Sequence, residues 1–211
     1  MTNTKHVRLP QIALTGRVLG KLLSASPDDG ECRSLLAALA DPGWTDEWPY
    51  GEHQELDAIA VLLTAGLAAT KAETPAEAYQ RLFIGPYALP SPPWGSVYLD
   101  RENVLFGEST LSLRRWLREN GIAMQLPGNE PEDSIGTLLL LSAWLAEQRH
   151  DKLLDILLAQ HLFPWCFRFL ELLEDHAGHP LYLGLAKLAR VSLNDWKASC
   201  TVEIAAPDLY F

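Results

Sequence analysis

The chain has 211 residues, 48% of them hydrophobic and 21% charged, with a formal net charge of −10. That length buries a real core without disulfide or metal staples, and the composition lies far from the polar, charge-rich signature of disorder. The negative charge repels a phosphate backbone and anionic lipid, so neither nucleic acid nor a membrane surface is expected as a partner; it attracts a cationic ligand such as an Arg-rich peptide, although solubility alone accounts for it.

Thirty-nine Leu and 24 Ala stand against 7 Val and 7 Ile, a balance that favours helix over sheet. Cys32, Cys166 and Cys200 are odd in number and scattered, with no C-x-x-C spacing, which argues against a disulfide framework or thiolate metal site and for a reducing cytoplasm. The opening MTNTKHVRLP lacks an apolar h-region, and no uncharged apolar run reaches 18 residues, so neither export nor a transmembrane segment is expected.

In chain order, Ile12, Val18, Leu19, Leu22 and Leu23 give a first helix from Pro10, stopped by Ser26-Pro27-Asp28-Asp29-Gly30. A second spans Glu31 to Ala40, closed by Asp41-Pro42-Gly43, and a third runs from about Glu52 to Ala69. Thr74-Pro75-Ala76-Glu77 marks a fourth helix start with an N-cap hydroxyl, Pro at the first position and Glu three residues after the cap; it presents Tyr79, Leu82 and Phe83, a stripe that in isolation reads as core. From Gly85 to Gly107, four prolines and three glycines in 23 residues block continuous helix and central strand alike. Long ordered loops of this kind tend to be functional, so this aromatic-rich segment is the first site candidate and the likeliest hinge, at 85–108.

Ser109 or Thr110 is expected to cap a helix through Asn120, followed by Gly121, with Arg114, Arg115 and Arg118 along it. After an irregular stretch at 123–128, Asn129-Glu130-Pro131-Glu132 reads as the next helix start, carrying Trp144 and Leu145 further on. Asp151 opens another helix that Pro164 is expected to break or kink, and His179-Pro180 starts the last one, to about Ala198, before an extended tail. The architecture expected is an all-α bundle of about eight or nine helices in a single domain, 1–211.

Chemistry is sparse. No G-x-S-x-G elbow, phosphate-binding glycine loop or H-E-x-x-H occurs, and Cys166 lies in an apolar helical run. None of His6, His53, His150, His161, His176 and His179 pairs on one helical face; His176 and His179 read as helix-terminal groups. No catalytic residue, metal or cofactor is expected. Glu130, Glu132 and Asp133 put three carboxylates at a helix start; the local reading is capping, the functional one a groove edge that pairs with guanidinium groups.

The stretch Gln80-Arg81-Leu82-Phe83-Ile84-Gly85-Pro86, through Leu89-Pro90-Ser91-Pro92-Pro93-Trp94-Gly95-Ser96-Val97-Tyr98 to Gly107, resembles the TorD/DmsD redox-enzyme maturation chaperones, the DmsD branch above all. Glu130-Pro131-Glu132-Asp133 and His161-Leu162-Phe163-Pro164-Trp165 extend the resemblance over nearly the whole chain. It implies an all-helical, non-enzymatic cytoplasmic chaperone that binds the twin-arginine leader of a molybdoenzyme catalytic subunit, typically dimethyl sulfoxide reductase, with the Tat translocase as a further partner and a monomer, or a dimer, as the working state. Leader-binding positions then fall on Tyr79, Leu82, Phe83, Tyr87, Pro93, Trp94, Gly107 and Asp133, with Glu130 as a second carboxylate. Tyr79 and Tyr87 replace the Trp of near relatives, and Ser134 the usual His, which removes any titration near neutral pH at that position. A chaperone for another enzyme such as trimethylamine N-oxide reductase, a weak nucleotide hydrolase and a structural helical subunit are the alternatives.

Overall fold

A computed structural model describes residues 4–68, 73–126 and 130–211. Ten α-helices form the regular structure of these residues: α1 Thr4–Ser24, α2 Gly30–Ala40, α3 His53–Leu67, α4 Pro75–Tyr79, α5 Gly95–Leu99, α6 Glu108–Glu119, α7 Ile135–Glu147, α8 Asp151–Leu157, α9 Phe163–His176 and α10 Pro180–Ser199. A 3-10 turn at Pro42–Asp46 and two π turns, at Gln80–Ile84 and Leu158–Leu162, complete it, and no strand occurs among the described residues. The second π turn joins α8 to α9, so the helices amount to nine continuous runs in an all-α bundle.

Side chains of the cap residues fix four of the ten helix starts, those of α2, α4, α7 and α10. The Asp29 carboxylate accepts the Glu31 and Cys32 N–H groups at 3.0 and 3.2 Å. Thr74 and Glu77 form the reciprocal capping box, Thr74 Oγ1 accepting from Glu77 N at 3.2 Å and Glu77 Oε2 from Thr74 N at 2.8 Å. The His179 ring accepts from Leu181 N at 3.2 Å, ahead of Pro180 at the first position of α10.

Several sequence expectations change. Helix α1 reaches back to Thr4 and carries Pro10 inside it, and Pro42-Gly43 opens a 3-10 turn rather than a loop. The segment 85–108 holds the one-turn helix α5. Ser109 and Thr110 are not caps: α6 starts at Glu108 with Gly107 in the cap position, and the Ser109 hydroxyl donates to Asp100 at 2.7 Å. Helix α7 starts at Ile135, capped by Ser134, five residues later than the Asn129 expectation; Asn129, Pro127-Gly128 and the Ala69 end of the third helix lie outside the described residues.

Pro164 does not break its helix. The π turn before it lets Phe163 N–H bond Leu158 O, and the residue that would serve Ala159 O in the same pattern is Pro164, which has no N–H. Ala205 N–H from the C-terminal tail takes that carbonyl instead, at 3.1 Å. The resulting 26-residue run Asp151–His176 is long and apolar enough to cross a membrane by length and composition, but it is the core helix, with Leu154, Leu157, Leu158, Cys166, Phe169 and Leu170 fully buried.

The helices approach closely where glycines face them. A Cβ on Gly136 of α7 would lie 2.4 Å from Ser24 Cβ and 2.9 Å from Gly20 O of α1, and one on Gly66 of α3 would lie 2.2 Å from Leu181 N of α10. The α1–α7 pairing matters most, because it fixes where Ser134 and the residues before it stand. Between α1, α8 and the tail, half-buried Arg8 and exposed Thr201 both bond the buried Asp155 carboxylate. Burial alone would raise that carboxyl, but the bonds from Arg8 and Thr201 outweigh it and hold it below its ordinary value.

Gly66→Ala should lower Tm by about 5 °C, since overpacking against backbone costs roughly 1–3 kcal/mol. Arg8→Met leaves the Asp155 charge without its cation and should cost about 3–5 kcal/mol at pH 7, roughly 10 °C in Tm. A carboxyl with a lowered native pKa contributes stability that is present above about pH 4 and lost as pH falls through the native value, so the gap between wild type and Arg8→Met should narrow in acid melts.

Candidate functional site

Three prolines, at 90, 92 and 93, deprive the middle loop of N–H donors, so it cannot join a ladder. What it makes instead is a single antiparallel bridge, Trp94 to Ser134. Pro93 O accepts from Ile135 N at 2.8 Å and Gly95 N donates to Asp133 O at 3.0 Å, with Trp94 in extended conformation between them. The segment before α7 is thereby stitched to the start of α5. Gly95 is required at this place, because a Cβ there would lie 2.7 Å from Trp165 Nε1, which itself donates to His161 O at 2.8 Å. Trp165 also stacks on Tyr98, centroids 5.4 Å apart, and fixes α5 from the core side.

None of the three carboxylates expected to cap the helix after 129 does so. Glu130 Oε1 accepts from Trp94 Nε1 at 2.9 Å, and Glu132 takes both of its bonds from Arg114 Nε at 2.7 and 2.8 Å. Asp133 turns inward: it is 4% exposed, and Oδ2 accepts from Ser96 N at 2.6 Å, closing the first turn of α5. Burial pushes its carboxyl up, and the Ser96 N–H only partly offsets this. The cap of α7 is Ser134, whose Oγ accepts from Thr137 N at 3.3 Å and donates to Thr137 Oγ1 at 2.8 Å.

The other expected residues divide in two. Tyr79 stacks on Phe83 at 5.3 Å, and its hydroxyl is pushed up to about 12, first by burial and then by the charge of Glu130. Pro93, Trp94, Glu130, Asp133 and Ser134 therefore form one constellation, with Tyr79 within electrostatic reach of Glu130. Leu82 and Phe83 are buried beneath it, Leu82 completely. Tyr87 stands apart at 86% exposure. Gly107 lies against Asp100, where a Cβ would be 2.2 Å from Oδ2, so its place is set by the loop staple Asp100–Ser109. Just before it, Val104, Leu105 and Phe106 leave apolar side chains exposed, Phe106 at φ +61° beneath the Arg114 guanidinium, 5.0 Å away.

Beside the constellation is a small cavity of about 120 Å³ that sequence reasoning missed, lined by Gly95, Ser109, Ser112, Asp133, Gln160 and His161. Asp133 Oδ1 and His161 Nε2 are buried there without hydrogen-bond partners. Burial lowers the His161 imidazole to about 4, so it is neutral at pH 7. A signal existed in Pro164, since a proline inside an apolar helical run calls for local rewinding, here the π turn that carries Gln160 and His161. Among the described residues no group of three or more metal-ligating side chains comes together.

The family described as nitrate reductase delta subunit matches residues 49–171. A Salmonella typhimurium (strain LT2) protein named Tat proofreading chaperone DmsD is 50% identical over 208 residues, 98% of this chain and 99% of its own. A Haemophilus influenzae (strain Rd) protein named probable Tat proofreading chaperone DmsD is 38% identical over 203 residues, 96% and 98% of the two chains. Chaperone protein YcdY of Escherichia coli (strain K12) is 28% identical over 187 residues, 87% and 92%. With the family matched over more than half of the chain and two such relatives aligned along nearly all of it, the chain belongs to the TorD/DmsD family of maturation chaperones, which bind rather than catalyse.

Proposed function

We propose that the chain binds the twin-arginine leader of a molybdoenzyme catalytic subunit, with dimethyl sulfoxide reductase as the client, and retains it in the cytoplasm until the cofactor is loaded and the Tat translocase takes over. The name Tat proofreading chaperone, carried by relatives at 50% and 38% identity, supports this reading. Three free cysteines, two of them buried, fit a reducing compartment.

The observation that carries it is the Trp94–Glu130 pair. A half-buried indole held by a carboxylate offers a guanidinium both a π face and a charge partner, and Arg uses both better than Lys. Charge alone does not suffice. An exposed ion pair is worth ~0–1 kcal/mol, whereas micromolar affinity needs about 8 kcal/mol. Each large apolar side chain buried adds about 1.5–3 kcal/mol, so the leader's hydrophobic segment must cover several side chains, for which Tyr87, Ile84 and the exposed 104–106 stretch are available.

Calorimetric titration with a synthetic dimethyl sulfoxide reductase leader should give micromolar or tighter binding that drops at least tenfold when both arginines become lysines. Trp94→Ala should weaken binding about tenfold with Tm changed by only a few degrees, and a trimethylamine N-oxide reductase leader should bind more weakly. Absence of binding to the intact leader by a folded protein would remove the leader reading; equal binding of both leaders would remove the choice of client.

A further inference from the structure

Resting on the leader reading above, we infer that the cavity between α5, α6 and the second π turn receives the guanidinium group of one leader arginine, and only one, with His161 and Gln160 as its previously unassigned specificity residues. The site is built rather than incidental. Asp133 lines it while 4% exposed, with Oδ2 occupied by Ser96 N–H and Oδ1 unpartnered. His161, from a different element, lines the same space with Nε2 buried and unpartnered. Native interiors seldom leave two such atoms on residues that line one small space, because an unpaired buried polar atom forfeits its hydration without replacing it.

The lining selects the ligand. A carboxylate oxygen in a chain of net charge −10 disfavours an anion. The remaining polar groups of the lining, the neutral His161 ring, the Ser112 hydroxyl, the Gln160 amide and the Ser109 hydroxyl that donates to Asp100, are uncharged groups with acceptor atoms and suit the five-donor fork of guanidinium more than a compact, strongly hydrated ammonium. Trp165 adds an indole wall. Ser112 and Gln160 are exposed at the mouth, whereas Asp133 and Trp165 are buried, so the cavity is entered from solvent past α6 and the π turn. In so small a space, about 120 Å³, two guanidinium groups would force like charges together, which leaves the second arginine to Trp94 and Glu130.

The prediction is asymmetry. Two leader peptides, each with one of the two arginines changed to lysine, should differ in affinity by about tenfold, and Ser112→Leu, an exposed substitution that closes the mouth without touching the core, should abolish the difference. His161→Phe should do the same, and Gln160→Ala should reduce it about threefold. As a probe independent of the leader, n-butylguanidine should shift the backbone amide signals of Gly95, Ser96 and Ser109 saturably in wild type and not in Ser112→Leu, while n-hexylamine, of matched length and charge with an ammonium head, should not. If the intact leader binds yet the two single-lysine peptides bind equally, or the Ser112→Leu and His161→Phe proteins retain full asymmetry, the pocket inference fails while the leader reading stands. If n-butylguanidine and n-hexylamine shift the same signals alike, or n-butylguanidine shifts none, the inference is overturned.

Discussion

The bridge between Pro93–Gly95 and Asp133–Ile135 is the constraint on which the site depends. Two backbone hydrogen bonds, at 2.8 and 3.0 Å, are all that a proline-rich segment can give to the chain before α7. Because α7 is itself locked to α1 through the Gly20–Gly136 contact, the bridge transmits the position of a rigid core helix to a loop that has little regular structure of its own. Function-bearing loops need such anchoring if their side chains are to be preorganised.

From that bridge the polar groups sort themselves. Three consecutive-region carboxylates look interchangeable in sequence, yet each has a separate neighbour: Glu130 has the Trp94 indole, Glu132 has Arg114, and Asp133 has the α5 N-terminus. Only Asp133 is buried, and its cost is offset in part by Ser96 N–H. The tail reinforces the same corner. Tyr210 N donates to Tyr98 O at 2.9 Å, and Phe211 packs edge-on against the Tyr98 ring, so α5 is covered from both sides by Trp165 and the chain's last residues.

Much of this was legible in the residues. The Thr74–Glu77 box, the Leu-rich helices, the acidic and aromatic composition and the proline loop all speak through local chemistry that depends on near neighbours in sequence. What was not legible depended on distant ones. Asn129-Glu130-Pro131-Glu132 has every mark of a helix start, but a turn at Glu132 and Asp133 and the pairing of Trp94 with an extended Ser134 delay the helix until Ile135, and the carboxylates are drawn to partners 18 to 37 residues away. Ser109 likewise loses its cap role to Asp100, nine residues back. Pro164 was visible as a disturbance, but whether it breaks or rewinds a helix is decided by packing, here by the tail's donation to Ala159 O. The residue set inferred from resemblance includes both surface and buried positions, and geometry separates Trp94 and Glu130, which are half-buried, from Leu82, which is fully buried.

The central claim, that the bridge and its flanking carboxylates form the leader-binding surface, is tested most directly by hydrogen exchange measured on the intact chain with and without a saturating leader peptide. The account predicts that added protection concentrates in peptides covering 93–96 and 130–135, with a smaller gain across 104–112, and that α3 and α10 are unchanged. Protection confined to other segments, with 93–96 and 130–135 exchanging at the free rate, would contradict it.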